Sequence, residues 1–420
     1  MPQLREFIKR NMPTGLRNAV VDVRDLFAAP ALEDIVLHDY ALAPDADARP
    51  RLSLVIPSVD PAGAFGGVTT AIDIFLDLCV RTGAQARIIT DDFERRLDRS
   101  FIDRRAAGIG LDPASVEIAR RTTEVPTIQV RSRDIFIAYN WYIALNVRSL
   151  IDQQAAHFGG APRPFLYVIQ DYEPLFYRLS STHMLARLAF DPGRPCWGLF
   201  NSSQLHAFFE AQGHQLEHSY VFEPKIPRGL RPALEAGPIA KTKRILVYGR
   251  PQIPRNCFPA VEKGLRLWAA RYPQFADWDV ASAGLTHKPV PIGAGRALRS
   301  LGKLPLEDYA NTLRTTAVGL SLMASPHPSY PPLEMAHFGA LTITNRYANK
   351  DLGPLHDNFI SIPDIDAATI AHALAQACER FEAEPDIGWQ GKSRMPGYLD
   401  PAEWPFLSEL ASDLKVVWDR

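Results

Sequence analysis

Cysteine is scarce in this 420-residue sequence. Cys79, Cys196, Cys257 and Cys378 stand tens of positions or more apart, and no Cys-x-x-Cys pair occurs. That spacing supports neither a disulfide framework nor a thiolate zinc site, and it favours reduced thiols in the cytoplasm. Net charge is almost absent too, with 46 Lys and Arg against 47 Asp and Glu. A strongly basic nucleic-acid binder is therefore disfavoured. No apolar run reaches the about 18 residues that a membrane span needs, and the first residues lack the apolar block of a secretion signal. The expectation is a soluble, cytoplasmic protein. Three motifs are also missing: the Gly-x-Ser-x-Gly nucleophile elbow, the dinucleotide fingerprint and the Walker loop. An NAD-dependent enzyme is thereby a remote reading.

Proline, by contrast, is plentiful: 35 residues, in clusters. Clustered proline reads as a loop-rich enzyme rather than a helical scaffold. Hydrophobic residues at 46% and charged residues at 22% are globular values, and the length suits two or three domains.

Short β-branched runs alternate with amphipathic stretches from residue 51 onward, the pattern of strands joined by helices in parallel α/β units. Strands are predicted at Leu52–Pro57, Arg87–Thr90, Asp134–Tyr139, Phe165–Gln170 and Trp197–Asn201. A proline- and glycine-containing stretch, residues 225–243, reads as a linker. A second series follows at Arg244–Tyr248, Trp278–Ala283, Val318–Met323, Leu341–Thr344 and Phe359–Ile362. The expected fold class is α/β, with two Rossmann-like doubly wound domains facing across a cleft. Residues 1–50 form a partly helical extension, 51–235 the first domain and 236–400 the second. A helix in 401–420 is expected to pack back on the first. In the extension Arg5, Lys9, Arg10 and Arg17 oppose Glu6 alone, beside Leu4, Phe7, Ile8 and Leu16. This reads either as a plain surface helix or as a contact with anionic lipid.

Ligands of doubly wound folds bind beyond the carboxyl ends of the strands, so the polar residues that follow predicted strands are the candidates. Gly66 and Gly67 end a glycine-rich loop that runs into a helix, where backbone N–H groups suit an oxyanion; a ligand-free connection is the alternative. Arg250 and Arg255 lie on a proline-stiffened loop, and a guanidinium fork matches phosphate; solvated surface arginines are the alternative. Lys303, before a helix starting near Leu306, can neutralise a diphosphate as a compact charge. The long loop Ser321–Tyr330 leads into a helix predicted to open at Pro331 or Pro332, which sets Glu334 in the first turn, favoured by the helix dipole. Tyr139, Asn140 and Trp141, and likewise Asp171, Tyr172 and Glu173, follow strands of the first half and either line the cleft or brace a domain interface. His327 and His337 show no metal-ligand spacing.

On these residues the sequence resembles the GT-B glycosyltransferases of glycosyltransferase family four. Gly66-Gly67, Gly249-Arg250, the segment Gly302–Tyr309 and the Pro-Pro-Leu-Glu helix carry that resemblance. More narrowly, Ser321–Ala336 and Ile169–Pro174 resemble the WsaF-type rhamnosyltransferases, which use dTDP-β-L-rhamnose. The resemblance implies retaining transfer, without metal or other cofactor, of a sugar from a nucleotide-sugar donor to a glycan or lipid-linked oligosaccharide at the inner face of a membrane. It leaves peripheral membrane contact and a homodimer open. It implies that Arg250 and Lys303 hold the donor diphosphate and act in catalysis, and that Glu334 binds the nucleotide sugar moiety. Gly66, Gly67, Arg255, Tyr330 and Leu333 complete the donor side, and Tyr139, Asn140, Trp141, Asp171, Tyr172 and Glu173 the acceptor side. One departure stands out: the family has two glutamates eight positions apart, and the first position here is Pro326. The histidine often found after the third or fourth strand of the first half is also not evident. A sugar-nucleotide epimerase of similar architecture and a non-catalytic glycan-binding module are the competing readings.

Overall fold

The computed structural model describes residues 37, 40–57, 59, 66–90, 98–120, 127–191, 193–400 and 404–419. The basic segment within residues 1–17 and most of the glycine loop before Gly66 lie outside the described residues.

The first half contains strands β1 (Ala41–Pro44), β2 (Arg51–Ile56), β3 (Gln85–Thr90), β4 (Val116–Arg120), β5 (Thr127–Val130), β6 (Asp134–Ala138), β7 (Phe165–Ile169), β8 (Cys196–Phe200) and β9 (His218–Val221). Its helices are α1 (Gly66–Thr82), α2 (Arg99–Gly108), α3 (Trp141–Phe158), α4 (Ser181–Leu188), α5 (Ser203–Ala211) and α6 (Arg231–Glu235). Seven strands form one sheet in the order β4-β3-β2-β6-β7-β8-β9, and every pairing is parallel. β1 and β5 make a separate parallel pair. All residues of β2, β6, β7 and β8 are buried. Helices cover both faces of such a sheet, which is why those strands read as continuous rather than alternating apolar runs.

The second half contains β10 (Thr242–Gly249), β11 (Asp279–Gly284), β12 (Val290–Gly293), β13 (Arg296–Gly302), β14 (Thr316–Leu320), β15 (Leu341–Asn345) and β16 (Phe359–Ile362). Its helices are α7 (Phe258–Arg271), α8 (Leu306–Thr315), α9 (Tyr330–His337), α10 (Ala367–Ala383) and α11 (Ile387–Gln390). The sheet order is β12-β13-β11-β10-β14-β15-β16, parallel except for the β12–β13 hairpin. The stretch expected to be a linker holds a 3-10 turn at Arg228–Leu230 and α6, and β10 begins inside it at Thr242.

A helix after the second domain, α12 (Phe406–Asp419), returns to the first. Its Phe406, Leu407, Leu410, Ala411, Leu414 and Trp418 are buried in the same cluster as Ile72, Phe75 and Cys79 of α1. Trp418 Nε1 donates to the Arg133 carbonyl (2.9 Å), and Arg163 Nη1 donates to the Val417 carbonyl (2.7 Å). Burying six side chains of this kind is worth on the order of 10 kcal/mol before the entropy of ordering the helix is set against it.

Both sheets change direction once. In the first the chain lays β3 and β4 on one side of β2, then returns to β6 on the other. In the second it lays β11 and β13 on one side of β10, then returns to β14. The crevices at these switch points, between β2 and β6 and between β10 and β14, are where doubly wound sheets hold ligands.

Candidate functional site

The loop after β10 starts under steric constraint. A Cβ on Gly284, whose φ is 144°, would lie 2.3 Å from the Gly249 carbonyl oxygen, so β10 and β11 end in a contact that admits only glycine. From there Arg250 Nη1 reaches the Tyr248 hydroxyl at 3.4 Å. The loop ends at Cys257, in the left-handed region with φ 53°. The loop after β14 ends the same way, with Ser329 at φ 70°. Both switch-point loops of the second domain thus hand over to their helices through a strained non-glycine residue, a feature concentrated at ligand sites.

The loop Ser321–Ser329 is held from below. Asn345 Oδ1 accepts from the Met323 N–H (2.7 Å), and the Met323 carbonyl accepts from Lys350 Nζ (2.8 Å). Lys350 is 1% exposed, and burial holds its ammonium down to about 8. His327 Nδ1 accepts from the Ser329 N–H (3.0 Å), so the ring proton sits on Nε2. Helix α9 opens at Tyr330, one or two residues earlier than the sequence predicts, and this places Glu334 in its second turn. The dipole therefore does less for the carboxylate than expected. Pro331 and Pro332 also remove two of the four N–H groups that a helix start offers, so this terminus is a weaker anion site than the sequence reading supposed.

Glu334 is buried, and its Oε2 accepts from the Tyr309 hydroxyl of α8 at 2.7 Å. Burial pushes its carboxyl up to about 7, against the opposing hydrogen bond from Tyr309. The carboxylate also acts electrostatically on Tyr248, Tyr330 and Tyr398. It thus sits among tyrosines, with Arg250 one residue further along the chain of contacts.

The opposing wall comes from the first domain. Asp171 Oδ1 accepts from the Tyr172 N–H (2.8 Å) and from the Ser325 hydroxyl across the domain interface (2.5 Å). Arg255 Nε lies 3.9 Å from Asp171 Oδ2, and its guanidinium covers the Phe176 ring at 3.9 Å. The Tyr330 hydroxyl accepts from Asn201 Nδ2 (3.0 Å) and lies 3.3 Å from Thr70 Oγ1. Asp171, Asn201 and Thr70 of one domain therefore meet Ser325, Arg255 and Tyr330 of the other. Behind them Glu173 Oε2 accepts from the Trp141 N–H (2.6 Å) and the Tyr167 hydroxyl (2.7 Å). Burial pushes its carboxyl up to about 8, opposed by those two bonds.

The structure thus sets Arg250 and Glu334 beside the switch point of the second domain, brings Arg255, Tyr330 and Asp171 together across the interface, and places Tyr139 directly after β6 and beside Gly67. Lys303 is exposed immediately beyond β13. Other residues expected to line the site have different work. The side chains of Leu333, Trp141 and Tyr172 are 0%, 1% and 4% exposed and belong to apolar cores, so they are unavailable to a ligand in this conformation. Tyr172 instead bonds His214 Nε2 (2.9 Å). Asn140 caps α3 through the Ile143 N–H (3.0 Å), and Glu173 is an internal acceptor. Gly66 opens α1, and Gly67 makes room for Gln170. A Cβ there would lie 1.8 Å from Gln170 Oε1, and the amide Nε2 donates to the Gly67 carbonyl at 2.6 Å. Sequence reasoning missed Tyr248, Tyr309, Ser325, Asn201, Lys350 and Thr70. Tyr248 and Asn201 stand at strand ends, a signal open to the same search; Thr70, inside α1, carries none.

Among the described residues no three His, Cys, Asp or Glu side chains gather as a metal site, and no helix is long and apolar enough to cross a membrane. Comparison with known proteins finds the WsaF N-terminal domain model over residues 51–203 and the WsaF C-terminal domain model over residues 243–375. The O-antigen biosynthesis protein RfbC of Myxococcus xanthus is 31% identical over 236 residues, which is 55% of this chain. The chain spans only 17% of that relative's length. Similar solved structures include WaaG, a glycosyltransferase involved in lipopolysaccharide biosynthesis, with a TM-score of 0.53 and 13% identity over 86% of this chain and 99% of that one. Sucrose-phosphate synthase from Thermosynechococcus elongatus is similar with a TM-score of 0.53 and 14% identity, over 88% of this chain and 96% of that one. At such identities the likeness is one of fold, and the fold is GT-B.

Proposed function

The chain belongs to the WsaF family, and from that premise we propose that it is a glycosyltransferase of bacterial surface-glycan assembly. In its finer form the proposal is retaining transfer of L-rhamnose from dTDP-β-L-rhamnose to a glycan hydroxyl. The observation that carries the reading is the meeting of the two switch points. Arg250 and the tyrosine-lined Glu334 stand on one side, and Asp171 and Tyr139 on the other.

The chemistry fits those residues. As the bond from the anomeric carbon to the β-phosphate oxygen breaks, its electron pair passes to the diphosphate. Arg250 and Lys303 stabilise the charge that develops there by their positive charge. The acceptor oxygen bonds to the anomeric carbon on the face the phosphate leaves, and its proton passes to the departing phosphate oxygen. Glu334, ionised above pH about 7, accepts hydroxyl donors of the nucleoside sugar, and Tyr309 fixes its orientation. Pro326 leaves no carboxylate at the position of the family's first glutamate, so backbone groups or another side chain take up contacts to the transferred sugar. The proposed partners are a nucleotide-sugar donor and a glycan acceptor.

The test is calorimetric titration with dTDP, UDP and GDP, followed by NMR of the product formed from the matching nucleotide sugar. Tightest binding of dTDP and an unchanged anomeric configuration are expected. An absence of measurable affinity for every nucleoside diphosphate would falsify the reading. Turnover without an acceptor, to an isomerised nucleotide sugar, would replace it with epimerisation.

A further inference from the structure

Nine large hydrophobic side chains are exposed among the described residues, and three of them fall within ten positions: Leu179 at 84%, Met184 at 59% and Leu188 at 46%. They lie on α4 and the turn before it. Met184 and Leu188 are four residues apart and share a helix face, while Thr182 and Ala186 are buried on the inner side. The outward positions of a short amphipathic helix are ordinarily polar; here two of the four exposed positions, Met184 and Leu188, are large and apolar. Arg178 and Arg187 stand exposed beside them. The only acid in residues 178–191 is Asp191, whose carboxylate faces His214 Nδ1 at 3.4 Å. The result is an apolar patch with a basic rim. Leu179 follows Phe176, the residue stacked under Arg255 at the domain interface, by three positions. At most about 11 Å of chain therefore separates the patch from the rim of the cleft.

We propose that Leu179, Met184 and Leu188, flanked by Arg178 and Arg187, form a docking surface for an anionic lipid bilayer. An apolar patch alone fits a protein partner equally well, and the basic rim decides between them. An anionic leaflet attracts Arg near its surface, and large aliphatics beside Arg make the composition of a face that lies in the lipid interface. The consequence for activity rests on the glycosyltransferase reading: docked here, the cleft opens toward an acceptor carried on lipid.

The test sediments the full chain with vesicles of phosphatidylcholine alone and of phosphatidylcholine mixed with phosphatidylglycerol, at low and high salt. The chain is expected to pellet with the anionic vesicles and to be released by salt. The Leu179→Ser/Met184→Ser/Leu188→Ser variant and the Arg178→Glu/Arg187→Glu variant should each bind at least about 10-fold more weakly, with unchanged melting temperature and unchanged turnover on a soluble acceptor. Failure of the wild-type chain to pellet overturns the proposal. Equal pelleting of wild type and variants does too, and assigns lipid binding to another part of the chain. A dimer that dissociates in the patch variants without vesicles would identify a second copy as the occupant, which also overturns it. No nucleotide sugar enters the vesicle assay, so its failure leaves the glycosyltransferase reading untouched.

Discussion

Two buried carboxyls share one shift at the residue scale and are expected to show it in different measurements. Glu173 and Glu334 both have their pKa raised above the usual carboxylate range, chiefly by burial, so the folded protein holds their protons to higher pH than the unfolded chain. Their effect on stability is most favourable below about pH 4.5 and declines as pH rises through about 7 to 8. Glu173→Gln keeps an oxygen for the Trp141 N–H and the Tyr167 hydroxyl while removing the charge. Melting temperatures measured from pH 5 to 9 should therefore fall less steeply in Glu173→Gln than in the wild type. Glu334 is expected to show in binding instead. Tyr309→Phe removes the hydrogen bond that opposes burial, so the pH midpoint for donor affinity should move to higher pH, with KM for the donor rising more than kcat falls. A pH midpoint that stays in place would make Tyr309 a packing residue only. Arg250→Ala and Lys303→Ala should each lower turnover by about 10 to 1,000-fold, the usual range for a lost charged donor, and full turnover in either would remove it from the mechanism.

At the scale of elements, the central strands were legible in the sequence because burial on both faces writes them as unbroken apolar runs. β4, with Val116-Glu117-Ile118-Ala119-Arg120, and β9, with His218-Ser219-Tyr220-Val221, lie at the sheet edges, where exposed positions break the run. The β12–β13 hairpin was hidden by Pro291 and Gly293. The candidate site was legible where a side chain follows a strand closely, as with Arg250 and Asp171, and where a proline-stiffened loop carries a cation, as with Arg255. It was misleading at Trp141, Tyr172 and Leu333, because position after a strand does not reveal which way a side chain turns. Nor does it reveal that α9 begins one or two residues early, at Tyr330, behind a Ser329 held in an unfavourable conformation. Gly284→Ala is expected to destabilise the protein, since it sets a methyl 2.3 Å from the Gly249 carbonyl in addition to backbone strain of about 1 to 3 kcal/mol. Urea unfolding measures this, and an unchanged midpoint would show that the β10–β11 contact relaxes freely.

For the whole molecule, the polar contacts Asp171–Ser325, Asn201–Tyr330 and Arg255–Phe176 hold the domains with their switch points together. Inter-domain contacts of this kind are weak enough to open. Asp171→Ala combined with Tyr330→Phe should raise the radius of gyration seen in small-angle scattering of the ligand-free protein, and saturating nucleoside diphosphate should reverse part of the change. The helix α12 has a different consequence, one for synthesis. The sheet ending in β9 has been translated by residue 221, yet the cluster that α1 forms with it stays incomplete until residues 406–419 exist, a wait of roughly 10 to 40 s on the ribosome at ordinary elongation rates. During that interval Phe75, Leu78 and their neighbours keep only the part of their cover that the sheet and α2 provide, which exposes the nascent first lobe to association. A gene cut near residue 240 would yield a fragment that aggregates unless residues 404–420 are supplied in trans.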